Sequence, residues 1–408
     1  MILYIAWLLI FSSVFLAVFY LSIYSGIKAR RTEAWELDTE PSVTVLMPAY
    51  NEEEVVEKSL ESVKNLDYPN YSVKFVDDGS TDGTLEKAEK YASDSIEIIE
   101  HEENRGKAAA LNTGLEEADS DYVVVQDADS EIEASLLEKA LAKMEEEKSI
   151  GAVIAAIMPL KADSFVRKIQ VVEYRLTNFY RMLMTEMDTL NVTPGAFSVY
   201  RNLDLKEVGG FDEGNITEDL EMAFRLRKHG RNFEMIYFNS SKTEFPSTLK
   251  QLYNQRVRWA RGFIYNALKY REMFLNPEYG YFGTVQLPIL VVMPALIVAS
   301  FGMVFTGLIQ SLYSYILTVS AVGLSLPDLG LENLYFTLLS MNWKIYIPLL
   351  LSLVLVAYII AVAYRYSGEK PENVLALLFY FFAYFLFQSG FWIAAVLKEL
   401  ARSKKVWT

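Results

Sequence analysis

Four short polar motifs have residue types and spacings that could do chemistry. Asp127-Ala128-Asp129 follows Val123-Val124-Val125 after one residue, Gln126. Alternate acids on an extended segment can ligate Mg²⁺ or Mn²⁺ alongside phosphate oxygens; the plainer alternative is a solvated turn. Asp77-Asp78-Gly79 could accept hydrogen bonds from a base or ribose, or could organise a turn with Ser80. Thr217-Glu218-Asp219 opens an amphipathic pattern through Leu220, Met222, Ala223 and Leu226. Its acids either cap a helix, where the dipole favours them, or supply a general base for a hydroxyl. Gln255, Arg258 and Trp259 stand at i, i+3 and i+4, on one helix face. Arg258 could neutralise a diphosphate and Trp259 could stack on a sugar ring. The competing reading is a membrane-interface helix, which Arg256 and Arg261 fit better than they fit catalysis. Asn104-Arg105-Gly106-Lys107 adds two cations at a helix start, against the dipole, which points to anion binding.

Composition narrows the chemistry. The chain has no cysteine and only two histidines, His101 and His229, so thiolate catalysis, histidine triads and multi-histidine metal sites are set aside. What remains is carboxylates, Arg, Lys and metal. A net charge of −14 argues against a nucleic-acid partner.

The elements that must position these residues follow from pattern. Apolar runs at Ser42–Met47, Val73–Val76, Ile96–Ile99 and Tyr122–Gln126 read as strands. Helical spacing follows from Val55 to Val63, with Asn51 as its expected cap, from Thr84 to Tyr91 and from Lys107 to Glu117. Pro48-Ala49-Tyr50-Asn51 is read as breaking the first strand. Alternating strands and helices imply an α/β fold with a parallel sheet covered on both faces. Ligands of such sheets bind beyond the carboxyl ends of the strands, where Pro48, Asp77 and Asp127 fall.

Residues 1–25 carry no charged side chain and residues 284–397 only seven, whereas 26–283 read as a soluble domain. A bilayer core takes roughly 20 apolar residues, so 1–25 reads as an uncleaved transmembrane anchor. Lys28, Arg30 and Arg31 follow it and place the soluble domain in the cytoplasm. Three or four spans are expected within 284–397, near 285–305, 307–324, 344–364 and 373–397. Four would return the basic tail, 398–408, to the cytoplasm. Pro288 and Pro294 are candidates for bending the first of these spans, and 324–341 is a loop or an interfacial helix.

Taken together, these motifs resemble the family 2 inverting glycosyltransferases of the GT-A fold. The resemblance covers roughly residues 42–265 and is closest to the membrane-integrated synthases of β-linked polysaccharides. It implies a Rossmann-like cytoplasmic domain with a mixed, mostly parallel sheet, membrane-interface helices near 245–275, and a helical transmembrane region. It also implies a nucleotide-sugar donor, most commonly a UDP-sugar, a glycan or lipid acceptor, and Mg²⁺ or Mn²⁺. By resemblance, Pro48, Tyr50 and Glu52 in PAYNEE line the nucleotide pocket, Asp77 and Asp78 bind the uridine, and Lys107 serves the donor site. Asp127 and Asp129 hold the nucleotide sugar and its metal. Asp219, beside Glu218, is the catalytic base, and Gln255, Arg258 and Trp259 lie at the acceptor and diphosphate. Gly195 and Ala196 in PGAFSVYR resemble the loop before the acceptor site. Ceramide glucosyltransferases resemble the same motifs, so single addition to a lipid is the alternative to chain extension. One N-terminal span, where some synthases have two, is a departure, as is the lack of an added regulatory domain.

Overall fold

The structure is a computed structural model that describes residues 2–27, 37–323 and 343–401. Lys28, Arg30 and Arg31, the 324–341 stretch and the basic tail from Arg402 onward lie outside the described residues.

An apolar helix α1 (Ile2–Gly26) precedes an α/β domain, whose elements run β1 (Val43–Ala49), α2 (Val56–Lys64), β2 (Tyr71–Asp77), α3 (Thr84–Glu89), β3 (Ile96–Glu100), α4 (Lys107–Glu116) and β4 (Tyr122–Val125). Then follow β5 (Ser130–Ile132), α5 (Leu136–Glu146), β6 (Ile150–Pro159), α6 (Phe165–Glu186), β7 (Ser198–Arg201), α7 (Asn202–Glu207), α8 (Glu218–Lys228), β8 (Asn232–Thr243) and α9 (Leu249–Lys269). The eight strands form one sheet in the order β3-β2-β1-β4-β7-β6-β8-β5. Pairing is parallel for β1–β2, β1–β4, β2–β3 and β6–β8, and antiparallel for β4–β7, β6–β7 and β5–β8. The sheet is thus mixed and mostly parallel.

The four strands read from the sequence are β1 to β4. Pro48, however, does not end β1: the strand continues to Ala49, with Pro48 opposite Val76 of β2. The β4 register stops at Leu46, so the missing N–H of Pro48 breaks no described β1–β4 ladder bond.

Apolar runs buried on both faces explain the two-sided core. Alternate residues diverge, so Leu46, Val123 and Val125 join one apolar cluster and Val45, Met47 and Val124 the other. The second cluster is closed by α2 and α5 through Leu60, Leu137 and Leu141. The first runs through Phe179 and Leu183 of α6 into Ala17 and Tyr20 of α1 and Ile359 and Ala363 of a later helix. One face of the sheet's core is therefore continuous with the long apolar helices, through α6.

That later helix is α11 (Trp343–Ser367). It follows α10 (Leu287–Val322) and precedes the pair α12 (Val374–Phe382) and α13 (Tyr384–Leu400), bent by 53° at Ala383. The segments expected as separate spans at 285–305 and 307–324 form one helix of 36 residues, because nothing between them breaks the pattern. Pro288 comes just after a π-helical turn, Phe282–Gln286, and Pro294 is inside the helix. Among the described residues three helices are long and apolar enough to cross a membrane, or four if the bent pair is one span.

Candidate active site

Beyond the carboxyl ends of β1, β2 and β4 lies a cavity of about 860 Å³. Pro48, Tyr50, Glu52, Asp78, Lys107, Asp127, Asp129, Glu218, Asp219, Gln255, Arg258 and Trp259 all line it. Asp77 is not brought to it.

The two neighbouring acids have different tasks. Asp77 is buried, and one of its oxygens accepts the Ser80 N–H at 2.9 Å, which organises the turn. Asp78 instead holds the 104–107 loop. Its carboxylate accepts the N–H groups of Arg105 (3.0 Å) and Gly106 (2.7 Å) and contacts His101 Nδ1 at 2.7 Å. Gly106, at φ 95°, then starts α4 and aims Lys107 inward. Asn51 does not cap α2, which has Val55 at its N-cap and no side-chain cap. Its own φ is 57°, and its Oδ1 accepts the Thr81 N–H at 2.8 Å. The Glu52 N–H donates to Thr84 Oγ1 at 2.7 Å. Asn51 and Glu52 therefore stitch the β1 and β2 loops together.

Lys107 joins the two acidic motifs. Its Nζ pairs with Asp127 and, at 3.2 Å, with Glu218. Burial opposes its charge, but Asp127, Glu218 and Asp219 outweigh burial and raise its pKa. Gly195 makes this pairing possible. Its carbonyl accepts the Asp127 N–H at 2.8 Å, and a Cβ there would lie 2.6 and 2.7 Å from the Asp127 carboxylate oxygens. Gly195→Ala is expected to displace Asp127 and Lys107, at a cost of about 1–3 kcal/mol. Calorimetry should then register weaker nucleotide binding while the fold persists.

Asp127 and Asp129 present hard oxygens of the kind that suit Mg²⁺ or Mn²⁺. Asp129 Oδ1 accepts from Thr243 Oγ1 at 2.9 Å and Ser130 Oγ at 3.1 Å. Burial, then the neighbouring Asp127 charge, pushes its pKa up to about 6, a cost that a cation would relieve. Among the described residues no three acidic or histidine side chains converge to hold a metal unaided. The donor set therefore fits a metal completed by phosphate oxygens. Glu52 is pushed up to about 8 by burial and then by Asp129, Asp127 and Asp82.

The geometry also separates Glu218 from Asp219. Glu218 is buried and engaged by Lys107. Asp219 is only half-buried, and one oxygen accepts the Leu220 N–H at 2.7 Å. Its pKa rises to about 6, through burial first and then the charge of Glu218, opposed by Lys107, the Leu220 N–H and Arg258. Behind them, Asn266 of α9 donates to Thr217 Oγ1 (3.1 Å), and Asn215 donates to Asn266 Oδ1 (2.7 Å). This buried network locks the start of α8 to the helix bearing Gln255, Arg258 and Trp259.

Arg256 and Arg261 do not line the cavity; they are buried ion-pair partners. Arg261 pairs with Glu399 of α13 at 2.6 Å and Arg256 with Glu173 of α6 at 2.7 Å. Sequence reasoning also missed Tyr174 and Arg181 of α6 and Thr243 and Glu244 near the end of β8, all of which line the cavity. Tyr174 and Arg181 stand seven residues apart, two helical turns, and that spacing was the available signal.

Residues 44–209 match the family model described as glycosyl transferase family 2. The poly-β-1,6-N-acetyl-D-glucosamine synthase of Staphylococcus aureus (strain COL) is 29% identical over 259 residues, which cover 63% of this chain and 61% of that protein. The Staphylococcus epidermidis protein of the same name is 31% identical over 224 residues, 54% of each chain. The chain thus spans about three-fifths or less of the curated relatives it matches. The mannosyltransferase PcManGT of Pyrobaculum calidifontis, solved with GDP-Man and Mn²⁺, superposes with a TM-score of 0.65 at 20% identity, covering 99% of this chain and 100% of that one. Residues 44–209 are therefore similar to a family 2 glycosyltransferase domain, within a GT-A fold and on a chain with membrane-length helices.

Proposed function

We propose that the protein is an inverting, metal-dependent transferase that extends a β-linked polysaccharide from a UDP-sugar at the cytoplasmic face of a membrane. One observation carries this reading: the paired acids Asp127 and Asp129, the half-buried Asp219, and Gln255, Arg258 and Trp259 line a single cavity. The catalytic core is continuous with α1 and α11, which sets that cavity beside the membrane helices.

Asp219 takes the proton of the acceptor hydroxyl as its oxygen attacks the anomeric carbon. The bond from that carbon to the diphosphate oxygen breaks on the opposite face, so an α-linked donor gives a β-linkage. Asp127 and Asp129 would hold a divalent cation, which when bound supplies positive charge to the leaving diphosphate. Arg258 adds a cation there, and Lys107 holds Asp127 in place. Trp259, 36% exposed, presents an apolar ring to the acceptor sugar.

The test is incorporation from radiolabelled UDP-sugars by the full-length protein with Mg²⁺ or Mn²⁺. A β-linked polymer from one donor is the expected product. A lipid bearing a single sugar would overturn chain extension, and failure to release UDP from any donor would overturn the whole reading.

A further inference from the structure

Arg256 lies between Gln255 and the Arg258-Trp259 pair, and no role in sugar transfer attaches to it so far. Its guanidinium makes three contacts at once. Nη2 donates to Glu173 Oε2 at 2.7 Å, Nη1 donates to Gln255 Oε1 at 2.6 Å, and Cζ lies 4.3 Å from the centre of the Trp259 ring. The pair is sequestered, with the Arg256 side chain 9% and the Glu173 side chain 13% exposed. Glu173 Oε2 also accepts the hydroxyl of Tyr384 at 2.9 Å, and Tyr384 is the first residue of α13, at the 53° bend. Around these groups Ile169 of α6, Leu252, Val257 and Ala260 of α9, and Phe391 of α13 form one apolar cluster. A buried charge-assisted pair inside packed helices has little freedom to rearrange.

These contacts bear on the side chains facing the cavity. With Gln255 Oε1 held by Arg256, the amide is oriented with its N–H groups turned away from the guanidinium, where they can donate to a ligand. With one side of the Trp259 indole against the guanidinium, the exposed remainder is left for a ring. A planar fork reaches Glu173 and Gln255 together, which a lysine ammonium cannot reproduce.

We propose that Arg256, held by Glu173 and Tyr384, is the positioning residue of the acceptor clamp. It fixes Gln255 as a hydrogen-bond donor and Trp259 as a stacking surface, and it ties both to the bend between α12 and α13. The proposal rests on the polymerase reading above and specifies how that site grips the growing chain. The nucleotide wall formed by Glu52, Asp78, Asp127 and Asp129 belongs to other elements, whereas Arg258 reaches the diphosphate from α9 itself, so donor binding is expected to depend on this triad less than product length does.

The full-length protein in nanodiscs, supplied with radiolabelled UDP-N-acetylglucosamine, provides the test, with KM for donor read from UDP release and chain length read on a gel. Arg256→Lys keeps the charge and loses the fork. It is expected to shorten the product about tenfold and leave the donor KM within about twofold of wild type. Tyr384→Phe, which removes one hydrogen bond and no charge, should shorten it less. Product length unchanged in both variants, or a donor KM that moves in step with length, would overturn the positioning role alone. Absence of UDP release by wild type from every UDP-sugar tried would instead overturn the polymerase reading, and this inference with it.

Discussion

Asp219→Asn is expected to lower sugar transfer by about 10²–10⁴-fold, the range in which a positioned general base contributes. The substitution is isosteric, and the amide oxygen can still accept the Leu220 N–H that Asp219 accepts at 2.7 Å. The fold should therefore survive. UDP binding measured by calorimetry should persist, because the donor wall is formed by residues from β1, β2 and β4. Normal turnover by the variant would remove Asp219 from the role of base.

The same carboxylate sets a pH dependence. Its pKa is raised to about 6, so the ionised form needed for proton abstraction is lost as pH falls through 6. Asp129 rises to about 6 as well, but saturating metal would hold it ionised. With saturating metal and donor, kcat is expected to fall below pH 6 rather than below the ordinary carboxylate range near 4. Lys107 is shifted upward and keeps its charge across this interval.

Asp129→Ala is the second large effect. It removes a proposed metal oxygen and the acceptor of hydrogen bonds from Thr243 and Ser130. Loss of outer-shell partners alone typically costs about 10–100-fold in metal affinity, and loss of a ligand should exceed that. Titration of UDP into the variant with Mn²⁺ should give no more heat than titration without it. Metal-dependent binding equal to wild type would show that Asp129 is not a ligand.

Much of the fold could be read from the chain because strand and helix periods are local. Val43–Ala49, Tyr71–Asp77, Ile96–Glu100 and Tyr122–Val125 are apolar runs separated by helical patterns, and that order implies parallel pairing. The antiparallel insertion of β7 between β4 and β6 was not readable in this way. Ser198–Arg201 is four residues long and pairs with partners more than 40 residues away. The single long helix at Leu287–Val322 was divided in the sequence reading because uniform apolarity does not mark where a span ends.

The site divides along the same line. Sequence order places acids at the ends of β4 and α8, since a strand end or helix start is a local event. It could not sort Asp77 from Asp78: adjacent residues look equivalent until the 104–107 loop reaches one of them. Nor could it sort Glu218 from Asp219, which differ because Lys107, more than 100 residues earlier, engages only the first in an ion pair.

By itself, the sequence determined which residue types are available for chemistry, the alternation that builds the sheet, and the apolar lengths that reach across a membrane. Only the tertiary structure decided which acid turns a loop, which is paired, and which is left in the cavity. It also decided that Arg256 and Arg261 are buried pairs rather than surface charges. The reason is physical: periodicity is encoded between neighbours, whereas burial and ion pairing depend on groups brought together from distant parts of the chain.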